Sequence, residues 1–412
     1  MPNELTRPII VPLTTVQADW TEVVSDVVRG VIASGSFWCV NVGRQSVHGS
    51  VTIRKNQEDP MTVDFIGNDG LEVTRVTNYS FAITCEQLGI NGSIVKGPKA
   101  TKKIHDSSVT AMDISPGGAL FVTGDEKGLI KVGDAKSGTT RRELVGHVAG
   151  IGTCRFFPSG QVVLSGSSDF QLRIWSVLDG SNPVTLKAHT KGITDSAIID
   201  RGRNVLSSSR DGTIRLWECG SASVIRTLGN YNVVVNNIAL GSVASDIRNW
   251  ENKEADIDSR EVATDDKIIC CALENGIISV IDLRSKDEAF SINSYRNTAL
   301  YACAYDGRYA AVSGSAEGVI ELYDIRNPSI STFALQRKDA PIYDIGFINK
   351  SSILVAPGDG TAFQFALDTL PTMSSAAHEF VGFDVDPIYS IRTVDSGQSI
   401  YAVGRDGCLR SF

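Results

Sequence analysis

The chain has 412 residues, 42% apolar and 21% charged, with a formal net charge of −8. A chain of this size buries a sizeable core. Its acidic balance disfavours nucleic acid and favours a basic protein partner. The first twenty residues hold no apolar h-region behind a basic start, and no apolar run approaches the roughly 18 residues of a membrane span, so neither a signal peptide nor a membrane partner is expected. Thirty-eight glycines against four methionines suit short strands and tight turns better than a helical bundle. The eight cysteines are scattered and form no Cys-x-x-Cys pair, which reads as reduced thiols in the cytoplasm or nucleus.

Residues 1–92 carry no repeat. In ADWTEVVSDVVRG, Trp20, Val23, Val24, Val27 and Val28 fall at helical spacing, which predicts one short amphipathic helix. SFWCVNV, SVHGSVTIRK, PMTVDFIG and LEVTRV then read as strands of a small N-terminal α+β domain.

Residues 93–412 repeat. GLIKVG follows Lys127, FQLRIW follows Asp169 and GTIRLW follows Asp211; GIISVI follows Asn275, GVIELY Glu317, GTAFQF Asp359 and GCLRSF Asp406. The intervals are 42, 42, 64, 42, 42 and 47 residues, the 64 being one unit with a 22-residue insertion. A period of about 40–45 residues marks a propeller of four-stranded blades, so the fold class is mainly β, a seven-bladed propeller. The last blade stops after its third strand, and the outer strand is expected from 93–104, closing the ring. The polar insertion 241–264 reads as a surface loop, with Trp250 as a candidate docking anchor.

Two repeats share a polar set: His147, Ser165, Asp169 and Trp175, then His189, Ser207, Asp211 and Trp217. Recurrence at equal spacing, each set ending in Trp, argues for a buried structural network over a hydrolytic triad, which needs an exposed nucleophile beside oxyanion donors. The set resembles the hydrogen-bonded tetrad of WD-repeat proteins. Repeat 1 keeps His105 but has Lys127 and Gly133 at the Asp and Trp positions. Repeats 4 to 7 lack the His and carry Ile281, Tyr323, Phe365 and Phe412, which predicts apolar packing there. No P-loop, Gly-x-Gly-x-x-Gly, His-Glu-x-x-His or metal-spaced cluster occurs, so no enzyme activity, cofactor or metal is expected.

The run 154–220, with FFPSG, IWSVLDGSNP, AIIDRGRNVLS and GTIRLWECG, resembles the proteasomal ATPase-associated factor family. The resemblance implies a non-catalytic chaperone of the proteasome regulatory particle. Such a protein binds the C-terminal domain of an AAA ATPase subunit of the base and is a monomer on its own. The alternative is a substrate receptor of a cullin-type ubiquitin ligase, for which Ile281-Asp282-Leu283-Arg284 and Tyr323-Asp324-Ile325-Arg326 resemble a Trp-Asp-x-Arg box without its Trp. Residues 221–412 hold 16 basic and 25 acidic residues. Their loops place Glu274, Glu317, Asp339, Asp384 and Asp386 on one rim, with Tyr295 as an aromatic anchor. The opposite rim is expected to lack such a run of acids, which makes this rim the candidate partner-binding face.

Overall fold

Blade 3 shows how the repeat folds. Its strands, Ile193–Ile199, Asn204–Ser209, Thr213–Glu218 and Ser223–Asn230, pair antiparallel in chain order. The second strand, NVLSSS, is buried at every position because neighbouring blades cover both its faces. Two apolar residues, Val205 and Leu206, are therefore followed by three small serines, and the hydrophobic alternation of a one-sided strand is missing. Between the second and third strands, Gly212 sits at φ 82°, and a Cβ there would lie 2.0 Å from the Tyr231 carbonyl. Left-handed backbone and close approach both demand glycine.

The computed structural model describes residues 7–412 apart from 44, 60, 244–257, 330 and 368–375, so Trp250 lies outside the described residues. Seven such sheets form the propeller, with inner strands starting at Val109, Ile151, Ile193, Val235, Leu300, Ile342 and Ile388. The last sheet takes its outer strand from Ala100–Lys103, paired antiparallel with Cys408–Ser411. That velcro joins the two ends of the repeat region and leaves no open edge at the seam.

The N-terminal unit folds around α1 (Trp20–Arg29). Trp20, Val24 and Val27 face a sheet of Leu13–Val16, Ser34–Val42, Ser46–Lys55 and Val63–Gly67, and Trp20 meets Phe81 edge-on at 5.4 Å. The strand Ile90–Lys96 crosses the 92/93 boundary read from the sequence. It pairs parallel with His378–Phe380, so Glu72–Thr77, Ser80–Cys85 and Ile90–Lys96 extend blade 6 into a seven-stranded sheet. Ile9–Ile10 likewise adds a parallel strand to blade 5. The weld contains a buried ion pair. Arg337 Nη1 and Nη2 donate to Glu379 at 3.0 and 2.5 Å, and Nη2 also reaches the Pro12 carbonyl at 3.1 Å.

Candidate protein-docking face

The polar sets are interior networks. In blade 2, His147 Nδ1 lies 2.7 Å from Asp169 Oδ2, its Nε2 2.8 Å from Ser165 Oγ, and Trp175 Nε1 2.8 Å from the same Oγ. Blade 3 repeats this through His189, Asp211, Ser207 and Trp217 at 2.8, 2.7 and 2.8 Å. The indole N–H can only donate, so the serine hydroxyl donates to Nε2 and the carboxylate accepts from Nδ1–H. Burial pushes both histidines below their usual range, with the aspartates pulling partly back, so they stay neutral. Burial raises Asp211, but bonds from Thr213, the Thr190 N–H and His189 outweigh it and hold the carboxyl well below the usual range. Ser165 and Ser207 are 0% exposed, so neither can meet a substrate.

Two degenerate blades differ from the sequence expectation. In blade 1 the carboxylate comes from Asp125, not position 127. Its Oδ2 is 3.1 Å from His105 Nδ1, and Thr123 Oγ1 is 2.9 Å from Nε2. A Cβ at Gly133 would lie 2.5 Å from the Phe121 ring, which fills the space of the missing indole. In blade 5 packing is not purely apolar. Tyr323 keeps a polar partner, its hydroxyl 3.0 Å from Ser313 Oγ. Ile281, Phe365 and Phe412 are buried without the histidine.

Turns after each second strand and connections into each inner strand share one rim, the upper one. Glu274, Glu317, Asp339, Asp384 and Asp386 all lie there, and Glu274, Asp339 and Asp384 are exposed. Three of the candidates have in-chain partners. Glu274 accepts from Asn236 Nδ2 at 2.7 Å, Glu317 is 3.4 Å from Arg296, and Arg296 sits 5.1 Å over the Tyr295 ring. The expectation that the opposite rim lacks acids is corrected. Asp258, Glu261, Asp266 and Asp324 lie there, but each pairs with Arg260, Lys286, Lys267 or Arg326. On the same rim Asp265 and Asp395 are exposed and in no ion pair among the described residues, so both rims carry acids, and ion pairs hold only part of the lower set. Arg326 of the shortened box also stacks 4.2 Å over Tyr309.

Sequence reading missed the channel. Inner strands bring Arg155 to 3.1 Å from Asp195, and Arg392 against Asp344 and 3.9 Å from Asp113. This network separates an upper funnel of about 600 Å³ from a lower one of about 440 Å³. Tyr301, Tyr343 and Tyr389 line one side of its upper end, the first two stacked at 6.1 Å. Pairing between positions as far apart as 113 and 392 leaves no local trace.

A closed seven-bladed ring with tetrads in blades 2 and 3 defines a WD-repeat propeller, a scaffold that presents surfaces. The family model for "WD domain, G-beta repeat" matches residues 97–134, 138–176 and 180–218, the three blades that hold a histidine network. Proteasomal ATPase-associated factor 1 of Gallus gallus is 37% identical over 401 residues, 96% of this chain and 97% of that protein. The Homo sapiens protein of the same name is 36% identical over 399 residues, with the same coverage. A Dictyostelium discoideum protein, probable proteasomal ATPase-associated factor 1, is 37% identical over 397 residues, 90% of this chain and 89% of that protein. The chain belongs to the proteasomal ATPase-associated factor family.

Proposed function

We propose that this protein is a non-catalytic chaperone or regulator of 26S proteasome assembly. It binds the C-terminal domain of one AAA ATPase subunit of the regulatory-particle base through the upper rim, in the cytoplasm and nucleus. The observation that carries this reading is relatedness along the whole chain to proteins named for proteasomal ATPases. The surface supports it. Among the described residues the acids Asp339, Asp384 and Asp386 have no base within ion-pair distance, and they face a basic patch on the partner. The serines of both tetrads are sealed, and among the described residues no cluster of three His, Cys, Asp or Glu side chains is placed to hold a metal ion.

The test is a pull-down of the full chain against each isolated ATPase C-terminal domain, with a cullin adaptor as the competing bait. Retention of one C-terminal domain supports the reading. Retention of the adaptor alone overturns it in favour of a ubiquitin-ligase receptor.

A further inference from the structure

Six of the seven turns after the second strand carry glycine behind the anchor: Gly128, Gly212, Gly276, Gly318, Gly360 and Gly407, all at positive φ. In blade 2 that position is Phe170, at φ 71°. A bulky L-residue in the left-handed region is an outlier, and such conformations collect where function requires them. Packing does not account for it, because Phe170 is 46% exposed. Beside it Val148 is 84% exposed, its backbone N–H held 3.2 Å from Asp169 Oδ2.

Val385 repeats the case. It is β-branched, sits at φ 60°, and is 75% exposed between Asp384 and Asp386. Among the described residues with positive φ, Phe170 and Val385 alone have bulky apolar side chains, the rest being glycine, alanine or polar. Both stand on the upper rim.

Their charge settings are opposite. Around Phe170 the exposed charges are basic. Lys187 pairs with Gln171 across the blade, Lys191 precedes Gly192 at the Ser168 backbone, and the Arg210 N–H bonds the Gly192 carbonyl. Around Val385 the acids Asp384 and Asp386 outnumber one base, Arg405, whose N–H bonds the Pro387 carbonyl.

We infer that Phe170 and Val385 are two apolar anchors of the docking face. The partner surface they fit has one apolar dimple edged with carboxylates, opposite blade 2, and one edged with lysine or arginine, opposite the Val385 loop. The reversed charges admit one orientation and penalise the other. The inference rests on the ATPase C-terminal domain as partner.

The variants Phe170→Gly, Val385→Gly and their double remove the side chain at positions where glycine is conformationally at ease. Titration calorimetry against the C-terminal domain retained by wild type is expected to show about 10-fold weaker binding for each. Because the sites share no contacts, the double is expected about 100-fold weaker. All three should melt no lower than wild type. Dissociation constants unchanged within about 2-fold would overturn the anchors and leave the partner reading standing. Weaker binding together with a lower melting temperature would also overturn them, since the side chains would then be packing residues. If wild type bound no C-terminal domain, the partner reading would fall and the anchor assignment with it.

Discussion

Asp211 accepts four hydrogen bonds inside one turn: from His189, from the Thr190 N–H, and from both the N–H and the hydroxyl of Thr213. Its removal leaves the Thr190 and Thr213 N–H groups without this acceptor and His189 Nδ1–H with only Thr213 Oγ1 at 3.2 Å. Asp211→Ala is therefore expected to lower stability by about 1–3 kcal/mol in urea titration, the cost of unpairing a buried network. Affinity of the folded fraction for partner should not change. A second prediction concerns His378, whose buried Nδ1 has no partner among the described residues and whose pKa is pushed down to about 4, chiefly by burial. The unfolded imidazole titrates near ~6.5. Between pH 6.5 and 4 the unfolded chain thus binds the extra proton, and stability falls as pH falls through that window. His378→Phe should flatten the decline between about pH 7 and 5 by about 1–2 kcal/mol, read from urea midpoints at the two pH values.

At the scale of elements, the weld between the N-terminal unit and blades 5 and 6 depends on Arg337 and Glu379, whose side chains are 5% and 3% exposed. Truncating either to Ala strands the other charge in the interior and is expected to cost about 3–5 kcal/mol. The double Arg337→Ala/Glu379→Ala should cost less than the sum, which a double-mutant cycle measures. This weld was invisible in the sequence because parallel pairing of Ile90–Lys96 with His378–Phe380 joins segments nearly 300 residues apart. Elements set by local pattern were legible: α1 from its valine spacing, the third strand of each blade from its anchor, and Ala100–Lys103 as the closing strand from topological need. The tetrads of blades 2 and 3 were legible for the same reason. In blade 1 the carboxylate moved two residues to Asp125, because the register of a hairpin, not its count from the glycine, decides which side chain faces the histidine.

Across the whole molecule the upper rim has two halves. Exposed bases Lys127, Lys187, Lys191 and Arg210 outnumber the exposed acids Asp106 and Glu126 on blades 1 to 3, whereas acids outnumber the exposed bases Arg296 and Arg405 on blades 4 to 7. Composition marked the acidic half but not the ion pairs of the lower rim, since pairs such as Lys286 with Glu261 are products of folding. Rim charges of this kind chiefly steer association, so salt should weaken partner binding and a reversal should remove that dependence. The most direct test is the dissociation constant for the retained ATPase C-terminal domain across a salt series, measured for wild type and for Asp339→Lys/Asp384→Lys/Asp386→Lys. Docking on the upper rim predicts at least about 10-fold weaker binding for the folded triple variant at low salt, with the difference shrinking as salt rises. A folded triple variant that binds as wild type does at low salt would contradict it.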